Sequence, residues 1–356
     1  MEEKKTQAKK VATIIDVARL ADVSISTVSR VINRQGGVSD ELGRRISNAI
    51  ETLNYKPNSV AQALKSKSTR LIGAIIPSVS NPIFSVLTKS LDEAAERYGY
   101  SLLICNSDSS VEKEVKCLDT LVNRQVDGII FDGMGLYDPR FSRVYEAGVP
   151  LIYIGRKIEG FPCSNVTVNN KKGAYMAVSY LIETGARRIG FIFGKHESIS
   201  ATEDRFQGYK EALQNNGIPF DEALVVRTRD AQDDGGRYAT RCLLDTVKDL
   251  DSIFVSNDLM ALGCLNQLQL YGKKVPKEIT VMGYDGIPYG RLMTPSLSTM
   301  IVPSKEMATA AVEMLTRRID RADYMEEEIV FETQMYLGES TKKPAQKGMQ
   351  KLRETI

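Results

Sequence analysis

Arg30 is the residue from which a chemistry can first be read. It shares one side of a helix with Ile25, Ser26, Ser29 and Asn33, while Val28, Val31 and Ile32 fall on the other side. A guanidinium among small polar side chains suits the major groove of DNA, where Arg pairs bidentately with a guanine edge. Ile25 adds an apolar group that can pack on a thymine methyl. Ser24 stands where a helix N-cap belongs, with a hydroxyl free to accept a backbone N–H or to donate to a phosphate. Thr13 and Thr27 complete the contact set expected of this stretch.

Two short helices must position these groups. Ile14, Val17, Ala18 and Ala21 recur at helical spacing, and Ala21-Asp22-Val23 breaks the pattern before Ser24. By spacing alone the pair is either a helix-turn-helix or an ordinary amphipathic hairpin. Gln35-Gly36-Gly37 interrupts again, and Ser39 begins a third helix whose buried face is Leu42, Ile46, Ala49, Ile50 and Leu53. Lys56 precedes Pro57 and ends regular helix there. The following segment, Asn58 to Lys67, is too short to be stable as a lone helix and reads by itself as a linker.

Charge separates this head from the rest. Residues 1–70 carry 13 Lys and Arg against 7 Asp and Glu, net +6, which leaves 34 basic and 38 acidic residues, net −4, in the remainder. A basic head on a mildly acidic body points to a polyanion partner for the head alone. The 356 residues suffice for two or three domains. There is one histidine, His196, so a histidine-based triad or a multi-histidine metal site is nearly excluded. The five cysteines are scattered and lack a CxxC, as expected of reduced thiols in a cytoplasm. No apolar run is long enough to span a membrane, and MEEKKTQAKK does not read as an export signal. Neither GxGxxG nor GxxxxGK[ST] occurs, so no cofactor is expected.

From Thr69 short apolar runs alternate with amphipathic segments. Strands are expected at 71–76, 102–105, 128–131, 151–154, 188–193, 252–255 and 279–282, with helices at 84–98, 112–124, 173–183, 205–215 and 258–271. Such alternation predicts parallel sheets covered on both faces, with ligands at the carboxyl ends of the strands. Phe84 opens a helix after the loop Ser78–Ile83, where it either stacks on a sugar or base or simply packs.

The wording DVARLADVSISTVSRVIN, residues 16–33, resembles the opening of the LacI–GalR family of transcriptional regulators, and the likeness runs to about residue 340. The resemblance implies a helix-turn-helix head (1–57), a hinge helix and linker (58–69), an effector-binding core (70–341) and a tail (342–356). The core is expected as two parallel-sheet subdomains similar to periplasmic sugar-binding proteins, about 70–168 with 300–328 and 169–299 with 329–341. YKPNSVAQAL matches the hinge motif, which adds Tyr55, Asn58 and Ala61 to the DNA contacts and makes Leu64 a minor-groove wedge. In the core the family pattern places a ligand-binding arginine at Arg205, an orienting residue at Asn257 or Asp258, and a hydroxyl acceptor at Asp285. Asp258 suits an N-cap equally well, and a structural salt bridge is the plain alternative for Arg205.

The sequence departs from the family in places. Asp22 replaces the usual Gly of the turn, Leu42-Gly43 replaces a T-R pair, and Asn169-Asn170 replaces D-N at the effector rim. Fewer negative charges at Asn169 predict room for an acidic sugar such as a uronate. The expected function is a cytoplasmic, homodimeric repressor of a sugar operon that binds a pseudo-palindromic duplex under control of a small sugar or sugar acid. A transport solute-binding protein is the alternative, and an α/β enzyme lacks any catalytic motif.

Overall fold

The computed structural model describes residues 12–32, 36–56, 68–135, 137–155, 163–194, 201–229, 231–320 and 325–343. They fall into two compact units, divided after Thr69.

In the first unit, helices α1 (Ile14–Leu20), α2 (Ile25–Ile32) and α3 (Asp40–Thr52) enclose Val17, Ala18, Ala21, Val28, Ile46 and Ala49. Each start has a local cause. Thr13 and Asp16 form a reciprocal capping box on α1, and the Ser39 hydroxyl accepts from Leu42 N at the head of α3. Asp22 turns the chain with φ +51°, the left-handed conformation that the missing glycine would adopt at no cost. The Arg45 guanidinium steadies this turn, donating to Ala21 O at 2.7 Å and lying 3.8 Å from the Asp22 carboxylate.

The second unit holds two six-stranded sheets. The chain first lays down β1 (Leu71–Ile76), α4 (Pro82–Arg97), β2 (Ser101–Asn106), α5 (Val111–Asn123), β3 (Gly128–Phe131), α6 (Ser142–Glu146), β4 (Leu151–Ile154) and β5 (Ser164–Val168). It then builds α7 (Asn170–Glu183), β6 (Ile189–Gly194), α8 (Ala201–Asn215), β7 (Val225–Thr228), α9 (Asp233–Thr246), β8 (Ser252–Val255), α10 (Asp258–Leu270), β9 (Thr280–Asp285) and β10 (Ser298–Ile301). Last come α11 (Ser304–Asp320), β11 (Glu328–Phe331) and β12 (Gln334–Tyr336).

The first sheet runs β11-β5-β4-β3-β1-β2, all parallel. The second runs β12-β10-β9-β8-β6-β7, parallel except that β12 opposes β10. Apolar clusters cover both faces of each sheet. That is why the central strands read as unbroken apolar runs.

The chain passes between the sheets three times: around Asn169, at Val302-Pro303, and at Glu332-Thr333. The last two passages lie a few residues beyond the expected 299 and 328. β10 keeps pairing with β9 through Ile301, and Glu328–Phe331 pair with β5 before the chain leaves. The helix α9 carries Gly235-Gly236, a pair that argues against helix by propensity. Tertiary packing reverses that preference. A Cβ on Gly236 would lie 2.0 Å from Met260 O, and one on Gly263 would lie 2.0 Å from Asp233 O, so the glycines let α9 and α10 touch backbone to backbone.

Candidate functional site

The recognition side chains sit on α2, whose Val28 is buried against α1 and α3. Ile25, Ser26 and Arg30 are exposed on its outer side, while Thr27 and Ser29 are half-buried. The Ser24 hydroxyl accepts from Thr27 N at 3.2 Å, which makes it the N-cap, and it lies 2.7 Å from both the Ser26 and Thr27 hydroxyls. Thr13 is engaged by its capping box, donating to Asp16 Oδ2 at 2.7 Å. Tyr55 is half-buried against the head core. Asn33, Asn58, Ala61 and Leu64 lie outside the described residues, as does His196.

A cleft opens between the two sheets of the second unit. Asn81, Phe84 and Asp132 line it from the first, and Asn170, Arg205, Asn257 and Asp285 from the second. Val302 and Ser304, on a passage between the sheets, close one side. Strand ends and helix starts supply these groups, as expected of parallel α/β sheets. Phe84 both lines the cleft and packs on the first sheet's core.

Arg205 is the centre of the polar floor. It is buried on α8, and its Nε donates to Asn170 Oδ1 at 3.0 Å. One terminal nitrogen donates to Ser256 O and to Asp285 Oδ1, the latter at 3.3 Å. The guanidinium also lies 3.7 Å from the centroid of the Tyr284 ring, in cation–π contact. Arg205 is thus a salt-bridge residue and a cleft residue at once. Burial pushes the Asp285 carboxyl up to about 6, against the pull of Arg205. Asp285 holds this place with φ +119°, a backbone conformation L residues rarely adopt.

Asn257 caps α10, accepting from Met260 N at 2.8 Å and donating to Ala231 O at 3.2 Å. Asp258 is therefore neither the cap nor a group on the cleft wall. It is fully buried behind Asp285, and burial together with the Asp285 charge raises its carboxyl to about 8.

The expectation for Asn169 needs correction. Its side chain caps α7 by accepting from Lys172 N at 3.1 Å and reaches towards Glu332 at 3.4 Å, outside the cleft lining. The next residue, Asn170, faces the cleft instead, because the helix begins there and turns it inward. The argument for a uronate from a lost charge at Asn169 falls with that placement. Asp132 was missed altogether, although its position one residue beyond β3 was a usable signal.

Two family models match the chain: bacterial regulatory proteins of the lacI family over residues 13–58, and a periplasmic binding protein-like domain over residues 178–341. The ribose operon repressor of Halalkalibacterium halodurans is 34% identical over 331 residues, 93% of this chain and 97% of that protein. A solved complex of the transcriptional regulator CelR with cellobiose is 31% identical, with TM-score 0.69 over 92% of this chain and 99% of its own. The lac repressor dimer bound to operator and the anti-inducer ONPF is 25% identical, with TM-score 0.81 over 93% of this chain and 99% of its own.

Proposed function

This chain belongs to the lacI family of bacterial regulatory proteins, a family of DNA-binding transcriptional regulators, and we propose from that premise a sugar-controlled operator switch. The exposed side of α2 reads base edges in a major groove, with Arg30 on a guanine and Ile25 and Ser26 beside it. Two copies place two such helices on a pseudo-palindrome, and the similar lac repressor was solved as a dimer bound to operator. The protein acts in the cytoplasm and turns over no substrate.

The effector is a neutral, hydroxyl-rich sugar held in the cleft. The observation that carries this is the balance of charge on the floor: Asp132 and Asp285 against Arg205, whose guanidinium is already committed to Asn170, Ser256 and Asp285. Carboxylates accept from sugar hydroxyls, and a second anion would meet them unfavourably. Phe84 supplies an apolar face for a sugar ring. The names of two relatives, a ribose operon repressor and a regulator solved with cellobiose, involve neutral sugars. By linkage, the effector changes operator affinity by the factor by which operator changes effector affinity.

The test is selection of bound duplexes from a random pool, with the full chain and with residues 1–69 deleted. A pseudo-palindrome enriched by the full chain alone supports the switch. Thermal shifts with D-ribose, D-galactose, cellobiose and D-glucuronate follow, and a response confined to glucuronate would overturn the neutral-sugar reading.

A further inference from the structure

Asp285 is presented to the cleft by a turn that another carboxylate holds. Asp258 Oδ2 accepts from both Gly286 N and Ile287 N at 2.8 Å, and its Oδ1 accepts the Thr299 hydroxyl at 2.6 Å. Asp258 is fully buried and does not line the cleft. Burying a carboxyl group is costly unless its oxygens are satisfied, and here hydrogen bonds to three groups converge on it from two different elements. The turn it holds contains the one described non-glycine residue with φ above 100°, Asp285 itself.

The second element is β10. Thr299 lies on this strand, two residues before Ile301, which pairs in register with Asp285. The next residue, Val302, donates its N–H to Asp285 O at 3.1 Å. Val302 packs against the cores of both sheets and begins the passage to α11, whose Met307 and Ser304 line the cleft from the other side. Asp285 is therefore tied to the passage twice: directly through Val302, and through Asp258 and Thr299.

We propose that Asp258 is the positioning residue of the effector site, fixing the 285–287 turn to β10 so that engagement of the Asp285 carboxylate is registered by the strand that carries the chain into the first subdomain. The proposal rests on the reading of this cleft as the effector site. Its contact with any ligand is indirect, through Asp285. A merely structural role in packing α10 on β9 would need neither the paired bonds to the turn nor the bond to Thr299.

Amide hydrogen exchange on the full chain tests this without any ligand. Loss of two buried hydrogen bonds in Asp258→Ala should raise exchange at Gly286 and Ile287 by roughly tenfold or more, beyond any change at Phe191 and Phe254 in the sheet centre. Asp258→Asn keeps an amide oxygen as acceptor and should restore most of the protection. Thr299→Val cuts only the link that runs through Asp258 and leaves the direct Val302 N–H bond to Asp285 O in place. It should leave Gly286 and Ile287 protected and raise exchange at Val302, and it keeps the test alive if Asp258→Ala does not fold. A uniform rise across the sheet, or an unchanged Val302 in Thr299→Val, would overturn the proposal.

A second arm separates it from the effector reading. With D-ribose, D-galactose and cellobiose as probes, any sugar that protects wild-type Asp285 to Met307 should still bind Thr299→Val but protect Val302 less, because only one of the two ties to Asp285 remains. Full transmission in that variant overturns the proposal. If none of the sugars protects the wild type, the sugar reading fails, and the ligand-free arm alone judges Asp258.

Discussion

Arg205 and Asp285 are 80 residues apart in sequence, and their side chains meet at 3.3 Å on the floor of the cleft. Both are buried, so the Asp285 carboxylate depends on the Arg205 guanidinium to offset the cost of its burial. The same pair lines the cleft and holds α8 to the end of β9. In the sugar reading proposed above, binding and stability are coupled in these two side chains.

Removal of the guanidinium should expose that dependence. Arg205→Met leaves a buried carboxylate without its cation, and the expected loss is about 3–5 kcal/mol at pH 7.5. At pH 5 the loss should shrink, because Asp285, already raised to about 6, takes up a proton and stops requiring a partner. Urea melts at the two pH values measure this; an equal loss at both would mean that the charge on Asp285 is not what the arginine balances.

Asp258 should shape stability as a function of pH. In the unfolded chain its carboxyl titrates near the ordinary 3.8, and burial raises it to about 8 in the folded chain. Between those values the folded state keeps a proton that the unfolded state has released, so stability falls as pH rises through the window. Asp285 acts in the same direction over the narrower range up to about 6. Asp258→Asn removes the larger contribution, and its melting temperature should decline less than that of wild type between pH 4.5 and 8.5. Parallel curves for the two proteins would contradict the assignment.

Gly208 sits one helical turn after Arg205 and faces α7. A Cβ there would lie 2.2 Å from Lys171 O and 2.9 Å from Ala174 Cβ, so Gly208→Ala must push α8 away. The expected cost is about 1–3 kcal/mol. Arg205 moves with the helix, so the sugar response should weaken along with stability. Calorimetry with and without a sugar that binds wild type separates the two effects, and an unchanged sugar affinity would show that the arginine does not travel with the helix.

On the head, Arg30→Ala should lose about 1–3 kcal/mol of discrimination at one base pair and relax specificity there. Ile25→Ala should weaken preference for a thymine at a neighbouring position with less effect on overall affinity. Competition binding against every single-base variant of the selected site reads both outcomes. A variant at position 30 that keeps full discrimination would remove Arg30 from the base-reading set.

The residues by themselves determine what is local. Capping by Thr13, Ser24 and Ser39 marks the helix starts of the head, and the apolar runs from Leu71 and Leu151 mark central strands. Ser164–Val168, where Ser164 and Asn165 are buried, and Gln334–Tyr336 at a sheet edge carry no such run and are not legible as strands in the sequence.

Tertiary structure decided the rest, because pairing between distant polar groups leaves no periodic trace in the chain. Periodicity records whether a position is buried, and burial recurs every second or every third to fourth residue. Which carboxylate faces the cleft and which lies behind it depends on how β9, β10 and α10 are stacked. That stacking places Asp285 on the floor, sends neighbouring Asn169 and Asn170 to different surroundings, and sets Asp258 against Thr299 across 41 residues of sequence.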